Sequence, residues 1–123
     1  KELIITSVKL KGVKDASENI IKIQNEMIKK KKLSQPSQIK TCGSTFKNFS
    51  NKKKAWELIK ESIDINEVNK MFGDATLSEK HCNFLINKEK ASSDDMKSLI
   101  NFVKDKVYKK TGVKLELEII LTS

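Results

Sequence analysis

Apolar positions along the chain switch period several times, and each switch marks an element. Leu3, Ile4, Ile5, Val8 and Leu10 form a β-branched and aliphatic run that predicts a strand over 3–10, closed by Gly12-Val13-Lys14-Asp15. From Ser17, Ile20, Ile21, Ile23, Met27 and Ile28 follow helical spacing. That pattern predicts a helix ending in the lysine run 29–32, ahead of Pro36. Residues 34–50 carry no period and collect Ser, Pro, Gly, Thr and Asn, the composition of a long loop. Ser50 is the expected cap of a helix bearing Ala55, Trp56, Leu58, Ile59 and Ile63, which breaks near Asp64 before a short turn around Val68 and Met71.

Beyond Gly73, Ala75-Thr76-Leu77 and Asn83-Phe84-Leu85-Ile86-Asn87 read as two adjacent strands, with His81 between them. Ser92 with Asp95 three residues on resembles a capping box. The helix it opens carries one stripe of Met96, Leu99, Ile100, Val103 and Val107, and Lys109, Lys110 and Gly112 end it. The last segment alternates Val113, Leu115, Leu117, Ile119 and Leu121 with Lys114, Glu116 and Glu118, which predicts a half-buried strand. The fold class that follows is α+β, a small mixed sheet with helices packed on one face.

Length and charge narrow the function. One domain fits in 123 residues, and no apolar run approaches the ~20 residues of a membrane span. The net charge of +9 predicts an anionic partner, yet every basic residue is lysine and none is arginine, which disfavours a nucleic-acid reader. Cys42 and Cys82 lack zinc-site spacing and are expected to be reduced thiols of a cytoplasmic protein; the lone histidine, His81, offers no metal site. The chain starts at Lys1, without methionine or signal peptide, and is expected to derive from a longer protein.

Three ordered stretches carry a family resemblance. The first is Gln35-Pro36 followed by Cys42-Gly43-Ser44-Thr45-Phe46-Lys47-Asn48. The second runs from Gly73-Asp74-Ala75-Thr76-Leu77-Ser78-Glu79-Lys80 through His81-Cys82-Asn83-Phe84-Leu85-Ile86-Asn87. The third is Gly112-Val113-Lys114-Leu115-Glu116-Leu117-Glu118-Ile119. Together they resemble the C-terminal, substrate-binding part of the UDP-N-acetylenolpyruvoylglucosamine reductase (MurB) family, from about Ile4 to Ile120.

The resemblance implies an FAD- and NADPH-dependent oxidoreductase of peptidoglycan precursor synthesis acting on UDP-N-acetylglucosamine enolpyruvate. It implies Ser44 as the proton donor to the carbon skeleton left after hydride addition, and Glu118 as its partner; on alternation alone Glu116 would be an equal candidate. It implies Lys32, Gln35, Lys47, Asn48 and His81 as substrate contacts, Lys32 being one of four lysines in its run. Residues 1–33 would be the end of the preceding flavin-binding domain and 34–123 the substrate-binding domain. The flavin-binding domain itself would be missing, so no cofactor is expected on this chain and turnover by it alone is not expected. Its uncovered apolar surface predicts self-association. Phe49, Met71, Asp74 and Ile120 depart from the family pattern, which usually has proline, arginine, glycine and arginine there. The alternative reading is a lysine-rich nucleic-acid-binding module, resting on charge alone.

Overall fold

The computed structural model describes residues 4–48 and 53–121. The chain divides into a unit ending at Lys31 and one beginning at Lys32. In the first, residues 4–16 have no regular secondary structure, and every described side chain is exposed. The strand predicted over 3–10 is therefore absent from its described part, Leu3 lying outside the described residues. An extended segment needs a neighbour to take its backbone donors and acceptors, and among the described residues this one pairs with no strand.

Helix α1 spans Ser17–Ser34. Its start is organised by Asp15, whose Oδ1 accepts from the Ala16 amide at 2.7 Å and from Asn19 Nδ2 at 3.1 Å. The helix continues through the lysine run expected to end it, because lysine is a good helix former and its charge suits a helix C-terminus. The stop is Pro36, which forces its predecessor out of the helical region.

The second unit holds strand β1 (Lys40–Ser44), helices α2 (Ala55–Ser62) and α3 (Ile65–Val68), strands β2 (Ala75–Leu77) and β3 (Phe84–Asn87), and helix α4 (Ser93–Thr111). The sheet order is β1-β3-β2, antiparallel throughout rather than mixed. The six-residue β2–β3 connection (78–83) is too short for the crossover that parallel strands require. Strand β1 lies inside the expected loop; its weak local pattern is overridden by the ladder partners Asn87 and Ile86, which face Lys40 and Thr41. The predicted cap Ser50 falls outside the described residues.

Helices α3 and α4 pack on β2, and α2 packs on α4. The core joins Ala75, Leu77 and Leu85 of the sheet to Leu58 and Ile59 of α2 and to Leu99, Ile100, Val103 and Val107 of α4. The α4 stripe read from the sequence is thus the buried face, and its ends are as expected. Ser92 Oγ accepts from the Asp95 amide at 3.1 Å, and the Asp95 carboxylate accepts from the Ser92 amide at 2.9 Å. The Ser92 hydroxyl, which donates to the Asp95 carboxylate at 2.7 Å, and after it the Ser92 amide hold the Asp95 carboxyl below its usual pKa. Gly112 closes the helix in the left-handed region, φ 73°, its amide donating to Tyr108 O at 2.8 Å.

The final segment is not a full strand. It makes a single antiparallel bridge, Phe46 to Leu117, and only Leu115 of its apolar positions is fully buried.

Candidate functional site around the Gly-Ser loop

Ser44 ends β1 opposite Phe84 of β3, across an irregularity in the register between Thr41 and Ser44. Gly43 makes the irregularity possible: its φ of +86° is strained for any residue with a Cβ. Directly opposed residues of a ladder project to the same face, so Ser44 shares a face with Phe84. By alternation that is the face opposite Leu85 and the helical core. Ser44 is half-buried there.

The residues after Ser44 are clamped from both sides. On one side the Thr45 amide donates to Asn83 O at 2.8 Å; the Phe46 amide donates to Asn83 Oδ1 at 2.9 Å, and Asn83 Nδ2 donates to Phe46 O at 2.9 Å. On the other side the Lys47 amide donates to Glu116 O and the Glu118 amide to Thr45 O, each at 2.9 Å. Phe46, fully buried, anchors the loop in the core. The final segment is thereby fixed beside the serine loop, and Glu118 is held through its backbone next to the residue that follows Ser44. Its side chain is exposed. Glu116, its rival on alternation, pairs with Lys47 at 3.6 Å, both side chains largely exposed.

Asn48, exposed at the next position, is tied to α2. Its Oδ1 accepts the Ala55 amide at 3.1 Å and so caps α2, a task the residue before Ala55, Lys54, cannot perform with an ammonium group. His81 packs on Phe84. Its ring is 4.9 Å from the Phe84 ring in an edge contact and 6.3 Å from Trp56, and its amide donates to Ser78 Oγ at 3.2 Å. Its Nδ1 is buried with no hydrogen-bond partner among the described residues. His81, Trp56, Lys60 and Ser34 are among the residues lining a cleft of about 380 Å³. Cys82 lines the cleft too, its thiol pushed up in pKa by burial, with its backbone hydrogen bond and Lys60 acting in the opposite direction. Lys32 comes to the same region through its carbonyl, which accepts from Lys80 Nζ at 2.6 Å. Gln35 is half-buried just beyond Ser34.

Ser44, Lys47 and Asn48 thus fall on one clamped segment, Glu118 lies on the final segment bonded to it, and His81 packs on Phe84, the residue opposite Ser44. Phe49, one of the departures from the family pattern, lies outside the described residues. Met71 and Ile120 are exposed, and Asp74 accepts from the Lys90 amide at 3.0 Å. Asn83 was not singled out by sequence reasoning, because an asparagine opening a predicted strand carries no signal of a long-range partner.

The family profile of the UDP-N-acetylenolpyruvoylglucosamine reductase C-terminal domain matches residues 35–122. The chain belongs to the UDP-N-acetylenolpyruvoylglucosamine reductase family. A UDP-N-acetylenolpyruvoylglucosamine reductase of Pelagibacter ubique (strain HTCC1062) is 49% identical over 121 residues, covering 97% of this chain and 39% of the relative. One from Rickettsia massiliae (strain Mtu5) is 41% identical over 119 residues, with the same coverage of 97% and 39%. One from Wolbachia sp. subsp. Drosophila simulans (strain wRi) is 42% identical over 118 residues, covering 94% and 38%. The chain therefore spans about 39% of the length of the first two of these reductases. The clamped serine loop, His81 and the Phe46–Leu117 bridge all lie inside the stretch that matches the reductase C-terminal domain.

Proposed function

We propose that this chain is the substrate-binding part of a cytoplasmic UDP-N-acetylenolpyruvoylglucosamine reductase, an oxidoreductase of peptidoglycan precursor synthesis. In this reading residues 34–123 hold UDP-N-acetylglucosamine enolpyruvate, and residues 1–33 end a flavin-binding domain. The observation that carries it is the clamp: a family-matched chain in which one short segment holds Ser44 beside the backbone of Glu118, with a 2.9 Å bond from the Glu118 amide to Thr45 O.

The residue types suit the task. A serine hydroxyl is a weak acid and gives up its proton only to a strongly basic carbon placed within hydrogen-bonding reach, so positioning is the main contribution the protein must make. Ser44 Oγ holds that proton, and Glu118 supports the transfer. Lys32 and Lys47 supply positive charge to the pyrophosphate; the exposed Lys47–Glu116 pair is of the kind worth only about 0–1 kcal/mol and yields readily to a stronger anion. In this reading Gln35 and the amide nitrogen of Asn48 give directional donors and His81 bonds the ligand from its cleft, a role supported by an Nδ1 buried without a described partner.

Reductases of this kind draw on FAD and NADPH. The described residues do not fit a flavin: Gly12, Gly43, Gly73 and Gly112 stand singly, about thirty or more residues apart, and form no glycine-rich phosphate loop. The chain alone is therefore expected to be inactive. The exposed Ile20, Ile21, Ile23, Met27 and Ile28 suit a surface covered by that further domain, and without it self-association.

The test is Ser44→Ala in the protein of the full native reading frame. Turnover should fall about a hundredfold or more, the scale at which a positioned proton donor contributes, while affinity for the UDP-sugar is retained. Wild-type turnover by a folded Ser44→Ala protein would remove the proton-donor assignment.

A further inference from the structure

We infer that Asn83 is the positioning residue of the serine loop, an inference that rests on the reading of Ser44 as proton donor. Asn83 is 2% exposed, and all three of its bonds described above go to the backbone of the two residues that follow Ser44. Its side-chain amide offers one donor and one acceptor to the two polar groups of a single residue, Phe46, as a paired strand would. It thus extends the sheet by one step past the point where β1 ends at Ser44.

Nothing else described fixes the loop as firmly on this side. Gly43, at φ +86°, lies in a region where glycine is permissive, so the chain entering Ser44 has a compliant hinge. The chain leaving Ser44 is tied to Asn83 at both Thr45 and Phe46. The same Thr45 peptide receives the Glu118 amide through its carbonyl. One buried amide therefore sets the backbone behind Ser44 and, through Thr45, the final segment that carries Glu118. A loop displacement of about 1 Å is enough to cost on the order of a hundredfold in rate.

The test compares Asn83→Asp with wild type, Ser44→Ala and the double variant in the full-reading-frame protein, measuring kcat and KM against pH with the UDP-sugar. Ionised aspartate keeps the acceptor for the Phe46 amide but turns a lone pair on the Phe46 carbonyl; protonated aspartic acid can restore the donor. The expected result is a kcat about 10- to 100-fold low at neutral pH, KM little changed, the deficit relative to wild type shrinking as pH falls, and no further loss on the Ser44→Ala background. Wild-type kcat in Asn83→Asp, or a deficit flat in pH, would overturn the inference while a slow Ser44→Ala leaves the serine reading intact. Wild-type turnover in Ser44→Ala would instead sink that reading, and the positioning role with it. Asn83→Leu, which lacks both bonds, should show the deficit without pH recovery. If it does not fold, the aspartate series still decides.

Discussion

Asn48 combines two roles that substitution can separate. Its Oδ1 caps α2 by accepting the Ala55 amide at 3.1 Å, and no other described side chain serves that amide. Asn48→Ala should destabilise the chain by about 1 kcal/mol, within the roughly 0.5–2 kcal/mol range of lost N-caps. With a urea slope of about 2 kcal/mol/M, the midpoint should drop by about 0.5 M. Asn48→Asp keeps an oxygen acceptor and adds a negative charge at a helix N-terminus, a change worth roughly 0.3–1 kcal/mol in the favourable direction at low salt. It should match or exceed wild-type stability. Trp56, the residue after Ala55, is the only tryptophan, so its fluorescence follows α2 through the transition. Both variants should bind the UDP-sugar more weakly in the full protein, because each loses the side-chain amide donor. An unchanged midpoint in Asn48→Ala, or an Asn48→Asp as unstable as the alanine variant, would refute the capping account.

Three further outcomes follow from the packing and the electrostatics. Phe46→Ala removes a fully buried anchor and should cost about 3–5 kcal/mol, read by chemical denaturation; a loss under about 1 kcal/mol would mean the loop is not held through the core. Asp95 has a lowered folded pKa, so its contribution is present above the unfolded value of about 3.9 and is lost as pH falls through the lower folded value. Acid titration of stability should therefore be shallower below about pH 4 in Asp95→Asn. Cys82 is buried with a raised pKa while Cys42 is exposed, so a thiol reagent at mildly alkaline pH should modify Cys42 quickly and Cys82 only after denaturation. Equal native rates at the two cysteines would contradict the burial.

What could be read beforehand was whatever is encoded locally. The α4 stripe, its Ser92–Asp95 box and its Gly112 stop are set within the helix itself, and all three appear as read. Strands β2 and β3 announce themselves by apolar composition and a short connection. What escaped depends on distant partners. Lys40–Ser44 is polar and glycine-containing, and becomes a strand only because Asn87 and Ile86 lie alongside. The converse holds for 4–10, where a strand-like composition meets no ladder. The alternation of the last segment was real, yet it is satisfied by one bridge rather than a full strand. At the site, the family motif indicated Ser44 and Glu118 but not the means of joining them. Asn83 links residues 37 positions away through its side chain, and periodicity carries no record of such a bond.

The most direct test of the central claim is NADPH oxidation by the purified product of the full native reading frame, with and without UDP-N-acetylglucosamine enolpyruvate. The account predicts a flavin-bearing protein whose NADPH oxidation depends on the enolpyruvyl sugar and collapses in Ser44→Ala. A product that binds no UDP-sugar, or that oxidises NADPH equally well without it, would contradict the assignment.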